Sequence, residues 1–99
     1  MGFWVYILSC ADGSYYIGHT DNLETRIAQH QTGEIEGYTS TRLPVELVFS
    51  SEFPTRDEAV AAERQIKGWS RKKKDALIRG DWADLVRLSR SKKILMFDG

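Results

Sequence analysis

Tyrosine, arginine, histidine and glutamate occur in this chain at spacings that could assemble an anion-binding, proton-transferring site. Tyr6 and Tyr16 lie ten residues apart on either side of Ala11-Asp12-Gly13-Ser14. A phenol donates and accepts hydrogen bonds, but ordinary tyrosine titrates near 10, so it acts as a base only with help from a nearby cation. Arg26 and His30 are four apart and share one side of any helix that holds them. The guanidinium could grip a phosphate with two hydrogen bonds and offset the charge of a phosphoryl-transfer transition state. The imidazole could position or deprotonate a water, or contact phosphate. Glu63 follows Ala59 by four and precedes Ile66 by three, which puts a carboxylate on the packing stripe of a helix. That placement is costly unless the group is paired or holds a cation, and one carboxylate with several waters suits Mg²⁺. Finally, Arg71-Lys72-Lys73-Lys74 could neutralise backbone phosphates, and its cations oppose the dipole at the start of a helix. Each feature has a plainer alternative: sheet aromatics, a solvated pair, a salt bridge from Glu63 to Arg26 or Lys67, and a solvated helix face.

The elements that must position these groups are legible. Phe3 to Ser9 is aromatic and β-branched, as a strand is, and Tyr15 to Gly18 forms a hairpin with it. If the loop is Asp12-Gly13, paired residue numbers sum to 25 and the two tyrosines fall on opposite faces. If it is Ala11-Asp12-Gly13 with a left-handed Gly13, they sum to 24 and the tyrosines share a face, as a joint site requires. Asp21 or Asn22 can cap a helix running to about Gln31, with Gly33 as its stop and Leu23, Ile27 and His30 on one side. Gly33 to Leu43 reads as a loop. Val45 to Phe53 reads as a third strand in which Val45, Leu47 and Phe49 alternate with mixed residues.

Thr55 with Glu58 forms a capping box for a second helix, whose inner stripe is Ala59, Ala62, Ile66 and Trp69. Gly68 ends it. Ser70 caps a third helix, Arg71 to Arg79. Gly80 breaks that helix, and Asp81 caps a fourth, with Trp82, Leu85, Val86 and Leu88 on its buried side. The tail from Ser91 is basic and then apolar, and either packs back or trails. The expected class is α+β, a three-stranded antiparallel sheet flanked by helices. Residues 1–79 form the domain, and 80–99 add a helix and tail.

A chain of 99 residues with 41% hydrophobic content can build one modest core and is not compositionally disordered. No apolar run reaches the roughly 20 residues that span a bilayer, and Met1 to Cys10 lacks the basic leader and cleavage site of a signal peptide. One cysteine allows no internal disulfide, and a reducing cytoplasm is expected. A monomer is the expected state. Net charge is zero, yet residues 1–63 carry ten acidic groups against three Arg, while 64–93 carry eleven Lys or Arg against three Asp. Such asymmetry points mildly to a nucleic-acid-facing side.

Together, motif, order and spacing resemble the GIY-YIG nuclease superfamily, and more closely its small single-domain bacterial proteins. The resemblance covers about residues 3–79. It rests on "WVYILSCADGSYYIGHT", "DNLETRIAQH" and "ERQIKGWSRKKKDALI". It implies a metal-dependent endonuclease acting on DNA, with branched or damaged structures as candidate substrates. It implies that Tyr16 orients or deprotonates the attacking water, supported by Tyr6. By the same resemblance Arg26 stabilises the pentacoordinate phosphate, His30 assists proton transfer or binds phosphate, and Glu63 ligates one Mg²⁺ or Mn²⁺. Gly18 would let a phosphodiester approach closely. Tyr38, Arg42, Arg71, Lys72, Lys73 and Lys74 would contact nucleic acid.

Some positions depart from the family pattern. Trp4 and Val5 stand in place of Gly-Ile, Asp75 stands where many members have Asn, and Glu34 and Glu36 make the loop acidic. A nucleic-acid-binding module with weak or no nuclease activity is the alternative that these departures favour. A protein-interaction domain on the same scaffold is a third.

Overall fold

The computed structural model describes residues 2–90, in the order β1 (Phe3–Cys10), β2 (Tyr15–Thr20), α1 (Leu23–Gln31), β3 (Val45–Phe53), α2 (Arg56–Lys67), α3 (Arg71–Arg79) and α4 (Trp82–Arg90). The tail from Ser91 lies outside the described residues. The fold is α+β. Its antiparallel sheet has the order β2-β1-β3, so β1 is central and is covered on both faces. Val5 and Ile7 on one side and Tyr6 and Leu8 on the other are each at most 1% exposed.

The hairpin takes the three-residue loop. Tyr6 pairs with Gly18 and Leu8 with Tyr16, so paired numbers sum to 24. Gly13 sits at φ +87, a left-handed conformation that favours glycine, and its N–H donates to the Cys10 carbonyl at 2.9 Å. Tyr6, Leu8, Cys10, Ile27 and Val45 form the core on this face, with Tyr16, Leu23 and Leu47 packed against it. β1 and β3 shift register between Ile7 and Leu8: Ile7 pairs with Phe49, and Leu8 with Leu47. The extra residue, Val48, breaks the expected alternation. Val45 and Leu47 face the tyrosine side, whereas Phe49 lies with Ile7 on the opposite face.

The helix boundaries follow side-chain chemistry. Asn22 accepts from the Thr25 N–H at 3.3 Å, which settles the α1 cap on Asn22, and Gly33 follows at φ +80. The Glu58 N–H donates to Thr55 Oγ1 at 3.2 Å, and the Thr55 hydroxyl donates back to the Glu58 carboxylate. Ser70 caps α3, Gly80 ends it at φ +71, and Asp81 caps α4. One expectation fails. Leu85 is fully buried and Leu88 partly so, but Trp82 is 61% and Val86 45% exposed. Four residues apart, they lie together on the exposed part of α4.

Contacts divide the chain into two compact units, Met1–Glu63 and Arg64–Gly99, and the division falls inside α2. The first carries ten acidic residues and three Arg, the second eleven Lys or Arg and four Asp.

Candidate active site

The hairpin register brings Tyr6 and Tyr16 to one face, with ring centroids 6.3 Å apart. α1 closes over that face, and its stripe of Leu23, Ile27 and His30 delivers the imidazole to the tyrosines. The His30 ring centre lies 5.8 Å from that of Tyr6 and 5.1 Å from that of Tyr16. His30 is 1% exposed and both its nitrogens are engaged: Nε2 is 3.0 Å from the Tyr6 hydroxyl, and Nδ1 is 2.8 Å from Thr39 Oγ1. Direct contact between His30 and a phosphate is therefore closed in this arrangement. The ring reaches the rest of the site through its bond with Tyr6.

The Tyr6 hydroxyl and His30 Nε2 share one hydrogen bond and Thr39 Oγ1 and His30 Nδ1 another, with the direction of each set by the tautomer of the ring. Burial, foremost, and the neighbouring Tyr16 push the Tyr6 phenol up to about 12, against the lowering effect of Arg26. Tyr6 thus stays protonated and is not a base. Burial, and then the Arg26 charge, lower His30 below its ordinary 6.5, so at neutral pH it has one acceptor nitrogen and one donor nitrogen. Tyr16 is the less buried phenol of the pair. Among the described residues, the buried Arg26 Nε has no hydrogen-bond partner. A guanidinium with a donor to spare suits an anionic oxygen.

Gly18 serves the tyrosines. A Cβ at this position would lie 2.5 Å from the Tyr6 hydroxyl and 2.7 Å from its ring carbon. The absent side chain leaves room for the phenol directly opposite. Gly18→Ala is expected to displace Tyr6 and cost about 1–3 kcal/mol, read as a lower denaturant midpoint with an unchanged m-value.

The loop from Thr32 to Pro44 is tied to the hairpin turn by Arg42. Its Nε donates to Asp12 at 2.9 Å, its Nη1 to the Tyr38 carbonyl at 2.8 Å, and its own carbonyl accepts from the Ala11 N–H at 2.9 Å. The guanidinium also sits 3.8 Å from the Tyr38 ring centre. Arg42 is thus a clasp within the chain, and its expected contact with nucleic acid would have to share a guanidinium already bonded to Asp12 and the Tyr38 carbonyl. The clasp holds Thr39 (1% exposed) on His30 and stacks Tyr38 6.1 Å from Tyr16. Tyr38 remains exposed at the rim.

Glu63 pairs with His19, to which the sequence expectations give no role. His19 Nδ1 lies 2.5 Å from Glu63 Oε1. His19 pairs with Val5, so it leaves β2 on the face opposite Gly18. The Glu63 charge also acts on Tyr6, as the smallest of the influences on that phenol. A part-buried carboxylate beside an imidazole is a donor set that suits a divalent cation completed by waters. Among the described residues, no group of three or more His, Cys, Asp or Glu converges.

In the second unit the basic run splits. Arg71 and Lys72 are exposed and Lys74 partly so, and Arg71 faces Asp75 at 3.5 Å. Lys73 is 3% exposed, with Nζ 4.5 Å from the Trp69 ring centre, and shares a stripe with Ala76 and Leu77. Its expected phosphate contact is therefore withdrawn: the ammonium is packed over an aromatic face.

Comparison with known proteins agrees with the fold. A family model described as the GIY-YIG catalytic domain matches residues 2–75. A UPF0213 protein of Natronomonas pharaonis is 47% identical over 75 residues, covering 76% of this chain and 88% of that protein. The solution NMR structure of a UPF0213 protein from Bacillus halodurans has a TM-score of 0.54 at 39% identity, covering 90% of this chain and 98% of that one. A solution NMR structure of an E. faecalis protein gives 0.56 at 34% identity, covering 81% and 85%.

Proposed function

This chain belongs to the GIY-YIG catalytic-domain family, and on that premise we propose that it is a metal-dependent endonuclease that hydrolyses phosphodiester bonds in DNA. Branched or damaged structures arising in repair or recombination are the proposed substrates. The observation that carries the reading is the convergence of Tyr6, Tyr16, Arg26 and His30 on one sheet face, with a guanidinium donor left over. Tyr16 orients or deprotonates the attacking water. Tyr6, held protonated, bonds with His30 and fixes the geometry of the pair. Arg26 binds the phosphate and offsets charge as the fifth oxygen adds. Glu63, with His19 beside it, would hold Mg²⁺ or Mn²⁺, which when bound polarises the scissile phosphate and stabilises the leaving oxygen. No helix among the described residues is long and apolar enough to cross a membrane. A reducing cytoplasm suits the free, buried Cys10.

The basic second unit supplies the grip. Lys72→Ala is expected to lower DNA affinity and reduce the slope of log affinity against log salt by nearly one. Lys73→Ala is expected to leave that slope unchanged and lower the thermal midpoint instead. Equal loss of slope in both would contradict the buried placement of Lys73.

The test of function is a panel of single-stranded, duplex, flap and junction DNAs with Mg²⁺ or Mn²⁺. Metal-dependent scission of at least one is the expected result. Salt-sensitive binding without a product would favour a binding module instead, the reading to which Asp75 and its pairing with Arg71 lend weight.

A further inference from the structure

His19 and Glu63 come from different elements, β2 and α2, yet place an imidazole nitrogen and a carboxylate oxygen 2.5 Å apart. Their side chains are 30% and 15% exposed, so the pair is sheltered but open to an ion and its waters. Cis ligands of an octahedral ion at about 2.1 Å are themselves about 3.0 Å apart. The observed separation is therefore within about half an ångström of a chelating geometry, a change that a small rotation of either side chain supplies. The hairpin register fixes the His19 side: it pairs with Val5 on central β1, which is fully buried.

We propose that His19 and Glu63 jointly ligate the divalent cation, through Nδ1 and a carboxylate oxygen, and that the nitrogen donor makes the site favour Mn²⁺ over Mg²⁺. The proposal rests on the reading of Glu63 as the metal ligand and adds a second ligand to it. The proton count balances. Without an ion, the His19 Nδ1–H donates to Glu63. When the ion binds, the Nδ1 proton is released to water and the ring's one proton resides on Nε2, exchanged through water, so that the Nδ1 lone pair faces the metal. Imidazole nitrogen is a softer donor than water or carboxylate. It raises affinity for first-row transition ions more than for Mg²⁺, which keeps to oxygen ligands and water. The remaining positions fall to waters and to the substrate phosphate. A two-residue site of this kind leaves room for a substrate oxygen to enter the ion's coordination shell.

The test uses the full chain with Mn²⁺ and no DNA, read by continuous-wave and pulsed electron paramagnetic resonance. The expected result is one bound Mn²⁺ with modulation from a directly coordinated ¹⁴N. In His19→Gln the nitrogen modulation should vanish and Mn²⁺ should bind roughly tenfold more weakly, with Mg²⁺ affinity changed far less. His30 is closed off by Tyr6 and Thr39, so a nitrogen signal lost in His19→Gln belongs to His19. Mn²⁺ bound in the unaltered chain without nitrogen modulation overturns this proposal and leaves Glu63 as a lone ligand. Mn²⁺ binding that Glu63→Gln leaves untouched overturns the metal assignment as well. Because the first measurement is made on the unaltered protein, a variant that folds poorly does not decide the outcome.

Discussion

Glu63→Gln is expected to lower metal-dependent cleavage by at least about 10³-fold, and Tyr16→Phe by roughly 10²–10⁴-fold, both with folded protein retained. The magnitudes differ because the groups do different work. Glu63→Gln keeps the shape and a hydrogen bond for His19 but removes the charge that would hold a cation. Tyr16→Phe keeps the aromatic contacts with Tyr6, His30 and Tyr38 and removes only the hydroxyl. Tyr16 is the less buried of the two phenols, so its loss should leave the buried network intact and unfolding nearly unchanged. Cleavage rates under single-turnover conditions with the best DNA of the panel measure both effects. If the two losses belong to one reaction, the double variant should fall well short of the product of the single effects. Cleavage that survives in the double Glu63→Ala, Tyr16→Phe variant would remove both residues from the mechanism.

The local parts of this design were open to sequence reasoning. Thr55 with Glu58, Ser70 before α3, and Gly80 with Asp81 are signals carried within a few residues, and the caps form as such signals dictate. The face shared by Tyr6 and Tyr16 was narrowed to two registers, because turn length fixes register. Only the left-handed Gly13 selects between them. Three features were beyond a local reading or went unread. The inserted Val48 sends Phe49 to the other face, and no local pattern distinguishes that bulge from plain alternation. His19 gains its meaning from Glu63, 44 residues away, and that meeting depends on the path of α2 against the sheet. A histidine directly after Gly18, at the end of a strand carrying a candidate tyrosine, was the available clue. Lys73 stands among charged neighbours, yet its spacing from Trp69, Ala76 and Leu77 puts it on the packed stripe. Charge content points one way at this position and periodicity the other. In the fold, the lysine stem and the aromatic face together make burial tolerable.

Acid should loosen this fold earlier than its carboxylates alone would. His30 titrates below its ordinary 6.5 in the folded chain, chiefly because it is buried and secondly because Arg26 stands near. Above pH 6.5 the ring is neutral in both folded and unfolded chains, and its contribution is constant. Below 6.5 the unfolded chain takes up a proton that the buried ring resists, so stability falls as pH falls, until the lowered folded value is reached. The slope over that window is at most about 1.4 kcal/mol per pH unit for one proton. Asp12 and Asp84, held below their ordinary 3.8 by hydrogen bonds from Ser14 and Arg87 respectively, add their losses only at lower pH, so the histidine window stands apart. At the alkaline end the sign reverses. Tyr6, raised to about 12, favours the folded chain fully below pH 10 and loses that advantage as pH rises from 10 toward 12. His30→Gln retains a donor and an acceptor but does not titrate. It is expected to cost about 1–3 kcal/mol at pH 7.5, from imperfect replacement of the Tyr6 and Thr39 bonds, and to abolish the slope just below pH 6.5. Denaturant unfolding at intervals between pH 5 and 8 measures both quantities. A slope that persists unchanged in His30→Gln would mean that the proton is taken up elsewhere, and the closed Tyr6–His30–Thr39 chain would lose its claim to keep the imidazole neutral.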